Sequence, residues 1–267
     1  EMKLVGGDNG KYERETFSDT ILLGPSERAA VDVYFSDAGE YRLEHATPDK
    51  TYTLGTITSD DVEKETSFVK EFQTLRENKD TIASIDPFRD DFTRAPDKSI
   101  TLGIKMKQMM GAGSGMHMMH GGSAMSDSMM NMGDVEKIEW EDDMDMMNAN
   151  STKDTLVWQI KDNATGNINE DIDWRFAVGD KVKVKIFNDP KSLHPMQHPI
   201  HFHGQRFLVL STNGVQNDNL VWKDTTLIQT GDTVEVLVDM SNPGRWMAHC
   251  HISEHLEAGM MLGFRVQ

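Results

Sequence analysis

The sequence predicts an all-β protein built from β-sandwich domains, and three observations lead to that prediction. Short runs of β-branched and aromatic residues recur along the chain, with turn residues between them every roughly 8–12 positions. Residues 181–186 alternate strictly between lysine and β-branched side chains, as expected of a strand with one buried face. The dipeptides Gly179-Asp180 and Gly231-Asp232 each precede such a run, where sandwich turns are expected.

The first 95 residues are predicted to form short strands followed by a charged stretch. We expect strands at residues 20–23, 29–35 and 41–44, and a turn at Gly24-Pro25-Ser26-Glu27. Residues 61–95 are rich in charge, and residues 66–76 are a candidate short helix within them. Residues 1–95 are therefore interpreted as part of one β domain plus a linker.

Residues 96–267 are predicted to form a second β domain with an unusual insertion. We expect strands at residues 99–104, 155–160, 181–186, 207–210, 220–222, 233–238 and 260–264. The insertion, from about residue 106 to residue 147, holds thirteen of the nineteen methionines of the chain. Glycines separate many of these methionines, so we expect no packed core there.

Composition and charge exclude several classes of protein. The formal net charge is −17 at pH 7, so binding to a nucleic-acid backbone is not expected. The sequence has no run of about 18 apolar residues, so no membrane span is expected. The first residues lack the basic and apolar segments of a signal peptide, so we expect a cytosolic protein or a chain without its natural N-terminal part.

Six of the ten histidines, together with the single cysteine, lie in two short clusters. The clusters are residues 198–204, HPIHFHG, and residues 249–260, HCHISEHLEAGM. One cysteine allows no intrachain disulfide, and its flanking histidines favour a metal ligand or a nucleophile. Zinc is the rival metal, but a zinc site gives no reason for a histidine on each side of the cysteine.

The two-residue period of a β-strand divides these side chains into two groups. Histidines two positions apart share a face, so four imidazoles are predicted to converge on one site: His201, His203, His249 and His251. Cys250 points to the opposite face, and the backbone joins it directly to His249 and His251. An electron on its sulfur can therefore pass through the backbone to either neighbouring histidine.

Cys250 is predicted to belong to a separate, mononuclear copper site. Two histidines, a thiolate and a weak axial methionine are the ligands of blue-copper electron-transfer centres. The sequence supplies this ligand type as His198, Cys250, His255 and Met260. Pro199 is expected to turn the chain so that His198 leaves the face used by His201 and His203.

The two clusters resemble, at every ligand position, the C-terminal copper motifs of the multicopper oxidase family. The resemblance implies cupredoxin-like Greek-key β-sandwich domains, with residues 1–95 as the later part of the second domain plus a linker and residues 96–267 as the third domain. It implies a type 1 copper held by His198, Cys250, His255 and Met260. It also implies that His201 is a type 2 copper ligand, and that the type 3 copper ligands are His203, His249 and His251.

The resemblance is incomplete in one respect. The family's copper cluster needs four more histidines, from two His-X-His pairs in the first cupredoxin domain, and the chain has no such pair elsewhere. We therefore expect a fragment whose type 2 and type 3 coppers are shared with a missing N-terminal cupredoxin domain of the same protein. The resemblance also implies a periplasmic or extracellular location.

For the function, the resemblance implies a multicopper oxidase that couples oxidation of a reductant at type 1 copper to reduction of dioxygen to water. Cys250, His249 and His251 would carry the electrons. Because thioethers prefer Cu(I), we expect Cu(I) as the reductant. The insertion also resembles the methionine-rich insertions of bacterial cuprous oxidases, which implies copper tolerance as the role. The candidate substrate ligands are Met116, Met118, Met119 and Met196.

Other functions remain open at this point. A laccase oxidising phenols or aromatic amines would use the insertion as a lid. A copper nitrite reductase is disfavoured, because histidines on both sides of Cys250 exceed the needs of its one-copper second site. An isolated fragment would act only as a type 1 copper or Cu(I)-binding module, without reducing dioxygen.

Overall fold

The structure is a computed structural model of the chain and describes residues 1–60, 67–107, 137–141 and 154–267. The predicted Cu(I) ligands Met116, Met118 and Met119 lie outside these residues, as does most of the methionine-rich insertion. No helix among the described residues is long and apolar enough to cross a membrane.

The N-terminal part holds two small sheets and two short helices. Its strands are β1 (Met2–Gly7), β2 (Gly10–Ser18), β3 (Ala30–Val33), β4 (Gly39–Ala46) and β5 (Thr51–Ser59). The first three form a sheet in the order β2-β1-β3, and β4 pairs with β5. The helices are α1 (Val69–Gln73) and α2 (Lys79–Ile85), followed by a 3-10 helix (Asp86–Asp91).

The C-terminal part is a sandwich of two larger sheets. Its elements are β6 (Lys98–Met106), β7 (Leu156–Asp162), a 3-10 helix (Asn169–Asp171), β8 (Asp173–Phe176), β9 (Asp180–Asn188), β10 (His198–Phe202), β11 (Arg206–Thr212), β12 (Val215–Gln216), β13 (Thr225–Ile228), β14 (Thr233–Met240), β15 (Gly244–Cys250), α3 (Ser253–Glu257) and β16 (Met261–Val266). One sheet has the order β13-β10-β15-β16-β8 and the other β12-β11-β14-β9-β6-β7. The pairs β16–β8 and β6–β9 are parallel, and the other pairs are antiparallel.

The core lies between these two sheets and follows from strand alternation. In β9, Val182, Val184 and Ile186 are buried in the core, while Lys181 and Lys185 lie on the other face. Each buried aliphatic side chain of this kind stabilises the fold by about 1.5–3 kcal/mol relative to an exposed one. The all-β, cupredoxin-like sandwich fold is therefore confirmed.

A second, smaller cluster covers the outer face of the six-stranded sheet. Ile85 of α2 and Phe88 of the following 3-10 helix pack with Leu208, Leu237 and Trp222. Residues before position 96 therefore pack directly on the C-terminal sandwich, and the division of the chain at residues 95 and 96 stays a prediction.

Two predicted strands are absent from the structure. Residues 20–23 form no strand, and Leu22 and Leu23 are about half exposed. Residues 220–222 are buried but also form no strand, because their backbone bonds go elsewhere. The N–H of Leu220 donates to the side chain of Glu13, and the carbonyl of Leu220 accepts from the N–H of Glu13. An apolar run that is buried in this way has the composition of a strand but lacks the hydrogen-bond ladder of a β-sheet.

Candidate metal centre

Three predicted copper ligands converge within the sandwich, and we call them the Cys–His set: His198, Cys250 and His255. Sγ of Cys250 lies 3.7 Å from Nδ1 of His198 and 3.5 Å from Nδ1 of His255. The two Nδ1 atoms are 3.1 Å apart. All three residues are buried. Among the described residues, only this group brings three such ligand atoms within 4.8 Å of one another.

The strands β10 and β15 produce this convergence. They pair so that Ile200 is opposite Cys250 and His201 is opposite His249. His198 shares the inward face of β10 with Ile200, while His201 faces the other way. Pro199 therefore makes no turn, because it lies inside β10 and strand alternation alone separates His198 from His201.

The chemistry of the Cys–His set fits a buried copper ion. Burial lowers the pKa of His255 to about 3 and that of His198 well below its usual value, so both imidazoles are neutral and able to bind a metal. Burial also raises the pKa of the Cys250 thiol to about 12. A bound cation would favour the thiolate, and two imidazoles with one thiolate form the trigonal set of a blue-copper site.

Met260 is placed beside this set by its backbone. Its N–H donates to the carbonyl of His255 at 2.9 Å, and its carbonyl accepts from the N–H of Cys250 at 3.1 Å. The preceding Gly259 has a φ of 104°, which favours glycine and lets the chain return to the site directly after α3. The Met260 side chain is fully buried in the core, and its role as axial ligand stays a prediction.

Trp158 is a neighbour of the Cys–His set that the sequence did not indicate. Its ring stacks on His255 with centroids 3.7 Å apart and meets His198 edge-on at 5.4 Å. The contact fixes the orientation of both imidazoles. The sequence identifies residue 158 only as part of a strand, so no local signal could have assigned it to the site.

The other four predicted ligands also come together, and we call them the four-histidine set: His201, His203, His249 and His251. Neighbouring rings have centroids 4.8–5.6 Å apart. Nε2 of His203 lies 2.9 Å from Nε2 of His249, and such a pair of nitrogens can share one hydrogen or one metal ion. The geometry suits a site with more than one ion better than a single closed coordination sphere.

Hydrogen bonds at Nδ1 hold three of these rings. Nδ1 of His249 contacts the carbonyl of Cys250 at 2.8 Å, Nδ1 of His201 contacts the carbonyl of Asp224 at 2.9 Å, and Nδ1 of His251 contacts Oγ of Ser26 at 3.1 Å. The two contacts to carbonyl oxygens place the ring hydrogens of His249 and His201 on Nδ1 and leave their Nε2 atoms for metal binding.

Three residues of the four-histidine set, His201, His203 and His251, also have lowered pKa values. Burial, followed by repulsion from neighbouring histidines, lowers the pKa of His251 to about 4 and lowers the pKa of His203. Burial is the largest cause of the lowered pKa of His201 as well, although Asp224 opposes it. Burial alone would raise the pKa of Asp224, but hydrogen bonds from Arg28 and Thr225 hold it at about 2.

Two further residues lie near the Cys–His set. His194 is buried, its ring centroid is 6.0 Å from that of Trp158, and its Nε2 lies 3.5 Å from a carboxylate oxygen of Glu139. Met196, the one candidate Cu(I) ligand among the described residues, is partly buried and packs against the core. Its role as a substrate ligand stays a prediction.

Comparisons with known proteins agree with this geometry. The profile of a family described as multicopper oxidase matches residues 136–267. The chain is 35% identical over 108 residues to a multicopper oxidase of Staphylococcus haemolyticus, a region covering 38% of this chain and 24% of that protein. It is 44% identical over 71 residues to a laccase of Phlebia radiata, covering 25% and 14% respectively.

The fold is also similar to solved structures. A multi-copper oxidase from Pediococcus acidilactici aligns with a TM-score of 0.60 and 21% identity, covering all of this chain and 44% of that one. The chain thus spans less than half the length of that structure, and its matches span less than a quarter of the two curated relatives. The matched region contains both ligand clusters, and residues 136–267 thus match the multicopper oxidase family.

Proposed function

We propose that the chain is the part of a multicopper oxidase that receives electrons from a reductant and passes them toward dioxygen. The position of Cys250 carries this proposal. Its side chain lies with His198 and His255, while its sequence neighbours His249 and His251 lie in the four-histidine set.

The residues of the chain supply a short, rigid path between the two sets. The path from Sγ of Cys250 to either neighbouring imidazole is covalent throughout. The pairing of β15 with β10 and β16 fixes its geometry. Copper, when bound, would supply one-electron redox chemistry at the Cys–His set and four-electron reduction of dioxygen to two waters, with uptake of four protons, at the four-histidine set.

Differences in burial suit the two sets to different tasks. The Cys–His set excludes water, so its imidazoles stay neutral and their geometry does not depend on solvent. The four-histidine set is partly exposed, since His201, His203 and His251 all reach the surface of the described chain. Such exposure would admit dioxygen and protons, and it would accept further ligands from an N-terminal cupredoxin domain of the same protein.

Copper counting combined with electron paramagnetic resonance tests this proposal. An oxidase is expected to hold about four coppers, including a coupled pair without a resonance signal, when the N-terminal domain is present. A chain that binds one blue copper and no other would instead be an electron-transfer or Cu(I)-binding module. A chain that binds no blue copper would contradict both readings.

For the reductant we propose Cu(I), with copper tolerance as the role and the periplasm or cell exterior as the location. The support is compositional: soft thioethers are concentrated between residues 106 and 147, and Met196 lies two residues before His198. Met106, at the end of β6, is exposed, as a recruiting thioether must be.

The alternative reductant is a phenol or aromatic amine, and similarity to a laccase favours it. Two changes to the copper-loaded oxidase separate the two reductants. Deleting residues 111–132 removes both the thioethers and any lid, whereas replacing the methionines of that segment by leucine removes only the thioethers. If Cu(I) is the substrate, both variants lose at least tenfold in Cu(I) oxidation and keep phenol oxidation. Equal residual rates on both substrates would reject Cu(I).

A further inference from the structure

The turn at residues 24–28, between β2 and β3, extends from the N-terminal sheet to the four-histidine set. The turn is held internally, since the N–H of Glu27 donates to the carbonyl of Gly24 at 3.0 Å and the Glu27 carboxylate accepts from the N–H of Gly24 at 2.7 Å. Its exit is held by the N–H of Arg28, which donates to the carboxylate of Asp8 at 2.7 Å. The side chains of the turn therefore have fixed positions.

The guanidinium of Arg28 holds the carboxylate of Asp224 by two parallel hydrogen bonds. Nη1 donates to Oδ1 at 2.8 Å and Nη2 donates to Oδ2 at 2.6 Å. The same guanidinium donates to the carbonyls of Ser26 at 2.9 Å and Asp8 at 3.1 Å. Asp224 is thereby fixed relative to the turn.

Asp224 in turn orients the hydroxyl of Thr225, which contacts His201. Oγ1 of Thr225 donates to Oδ1 of Asp224 at 2.8 Å, so its lone pairs remain free to accept. Nδ1 of His201 lies 3.1 Å from this Oγ1 and 2.9 Å from the carbonyl oxygen of Asp224. Because a carbonyl oxygen only accepts, the ring hydrogen of His201 is on Nδ1, and the Nε2 lone pair is left for a metal ion.

Ser26 makes the corresponding contact with His251. Its Oγ lies 3.1 Å from Nδ1. Because a hydroxyl can donate or accept, this contact orients the ring and leaves its tautomer open. Two of the four histidines are thus held, directly or through Asp224, by one turn that lies more than 170 residues earlier in the chain.

We infer that the turn at residues 24–28 positions the four-histidine set for metal binding. Arg28, acting through Asp224 and Thr225, holds the hydroxyl that is the second acceptor for the Nδ1–H of His201 and so orients that ring, and Ser26 orients the ring of His251. The inference rests on the proposed function only in naming copper as the metal. None of these residues touches a reacting atom, so they are positioning residues.

The ring hydrogen on Nδ1 of His201 provides a test in the copper-free chain. Long-range ¹H–¹⁵N NMR of the imidazole rings at pH 7.5 detects this Nδ1–H, and the His201→Gln variant assigns its signal. Because the N–H of Phe202 holds the Asp224 carbonyl, we expect Nδ1–H in every variant. Exchange of this hydrogen with water should be about three- to tenfold faster in Arg28→Met than in the wild type, and Arg28→Lys, which retains a cationic donor, should restore part of the protection.

Arg175→Met is the matched control. Arg175 makes a similar pair with Asp173, at 2.6 Å, but it lies on the edge strand β8, three strands away from β10. It should leave His201 unchanged. If Arg28→Met does not fold, Thr225→Val removes the hydroxyl alone and carries the same expectation. An unchanged exchange rate of the His201 ring hydrogen in the folded Arg28 and Thr225 variants, or an equal change in Arg175→Met, would overturn the inference.

Cu(II) alone serves as the second probe. The non-blue resonance signal, followed against a competing chelator, reports binding outside the Cys–His set. We expect affinity to fall about tenfold or more in Arg28→Met and to stay at the wild-type value in Arg175→Met. If the wild-type chain shows no non-blue Cu(II), the proposed function is contradicted, but the exchange rate of the His201 ring hydrogen still decides the positioning role.

Discussion

The Cys–His set and the four-histidine set are built on the same two strands but differ in burial. Strand alternation in β10 and β15 sends His198 and Cys250 inward and His201 and His249 to the opposite face. The residues of the Cys–His set are at most 2% exposed, whereas three residues of the four-histidine set are partly exposed. One pair of strands therefore supplies a closed site, the Cys–His set, and an open site, the four-histidine set.

The two sets also differ in the residues that hold them in place. The described neighbours of the Cys–His set, Trp158 and Met260, belong to the C-terminal sandwich. The four-histidine set depends in addition on Ser26 and Arg28, which come from the N-terminal part. The side chains of the Cys–His set thus lie within one sandwich, whereas those of the four-histidine set contact both parts of the chain. Changes to one set should leave the other largely intact.

The largest expected effect is the loss of the blue chromophore in Cys250→Ser. A serine hydroxyl is not a soft anionic ligand, so the Cu(II)-loaded protein should lose its intense visible absorption completely. Non-blue Cu(II) binding by the four-histidine set should persist. The matched variant His249→Gln should show the reverse, with the absorption retained and non-blue binding weakened. A visible spectrum and a resonance spectrum of each variant are sufficient, and blue colour in Cys250→Ser would contradict the assignment of the ligand.

Replacing Gly204, next to His203, by alanine should disturb both the open site and the fold. Gly204 has a φ of 67°, and an added Cβ would lie 2.5 Å from ring atoms of Trp246. Gly204→Ala is therefore expected to lower the free energy of unfolding by about 2–4 kcal/mol. Gly263→Ala is the control, because nothing lies within 4 Å of its added Cβ, and it should change stability by less than about 1 kcal/mol. Urea unfolding of both variants gives the comparison, and equal losses would refute the steric explanation.

Acid should destabilise the copper-free chain, mainly through the closed site. The folded-state pKa of His255 is about 3, below the ordinary 6.5, so the unfolded chain binds a proton that the folded chain rejects. The stabilisation is complete above about pH 6.5 and is lost as the pH falls toward 3, by up to about 1.4 kcal/mol per pH unit for one proton. The pKa of His251 is lowered less, to about 4, and that side chain is partly exposed.

Two variants show which set produces this dependence. Unfolding free energies at pH 7.5, 4.5 and 3.0 should fall less steeply in His255→Gln than in the wild type. Down to about pH 4.5 both folded imidazoles stay unprotonated, so His251→Gln should match His255→Gln. At about pH 3.0 His251 is protonated in the folded chain, so His251→Gln should lie between the wild type and His255→Gln. If the two variants lost equal unfolding free energy between pH 4.5 and 3.0, burial would not be what distinguishes the two sets.

Much of the site could be predicted from local sequence because a strand has a fixed period. The spacing of the four histidines predicted that their side chains share one face, and that Cys250 points to the opposite face. The structure assembles each of these two groups separately, as predicted. The all-β sandwich was predictable for the same reason, since alternation such as that in β9 reflects one buried face. These inferences need only neighbouring residues.

The supporting residues could not be predicted, because their contacts connect distant parts of the chain. Trp158, Ser26 and Arg28 lie far in sequence from the histidines they affect, and each has an ordinary local context. The error at residues 220–222 has a related cause. Their apolar composition correctly indicates burial, but whether a buried run joins a ladder depends on partners such as Glu13, more than 200 positions away.

The smallest expected effect is at Ser26, where two substitutions separate the role of the hydroxyl from that of the backbone conformation. Ser26→Ala and Ser26→Gly both remove the hydroxyl that contacts His251, but only glycine adopts the φ of 69° without cost. We expect both variants to weaken non-blue Cu(II) binding by a similar factor, about three- to tenfold, because they lose the same contact. In urea unfolding, Ser26→Gly should be the more stable of the two by about 1 kcal/mol. If only Ser26→Ala, the less stable variant, bound Cu(II) more weakly, then the backbone of the turn would matter to the open site and the Ser26 hydroxyl would not. A shared loss of affinity with different stabilities would instead show that the open site depends on one contact from a distant turn, a dependence that the closed site does not have.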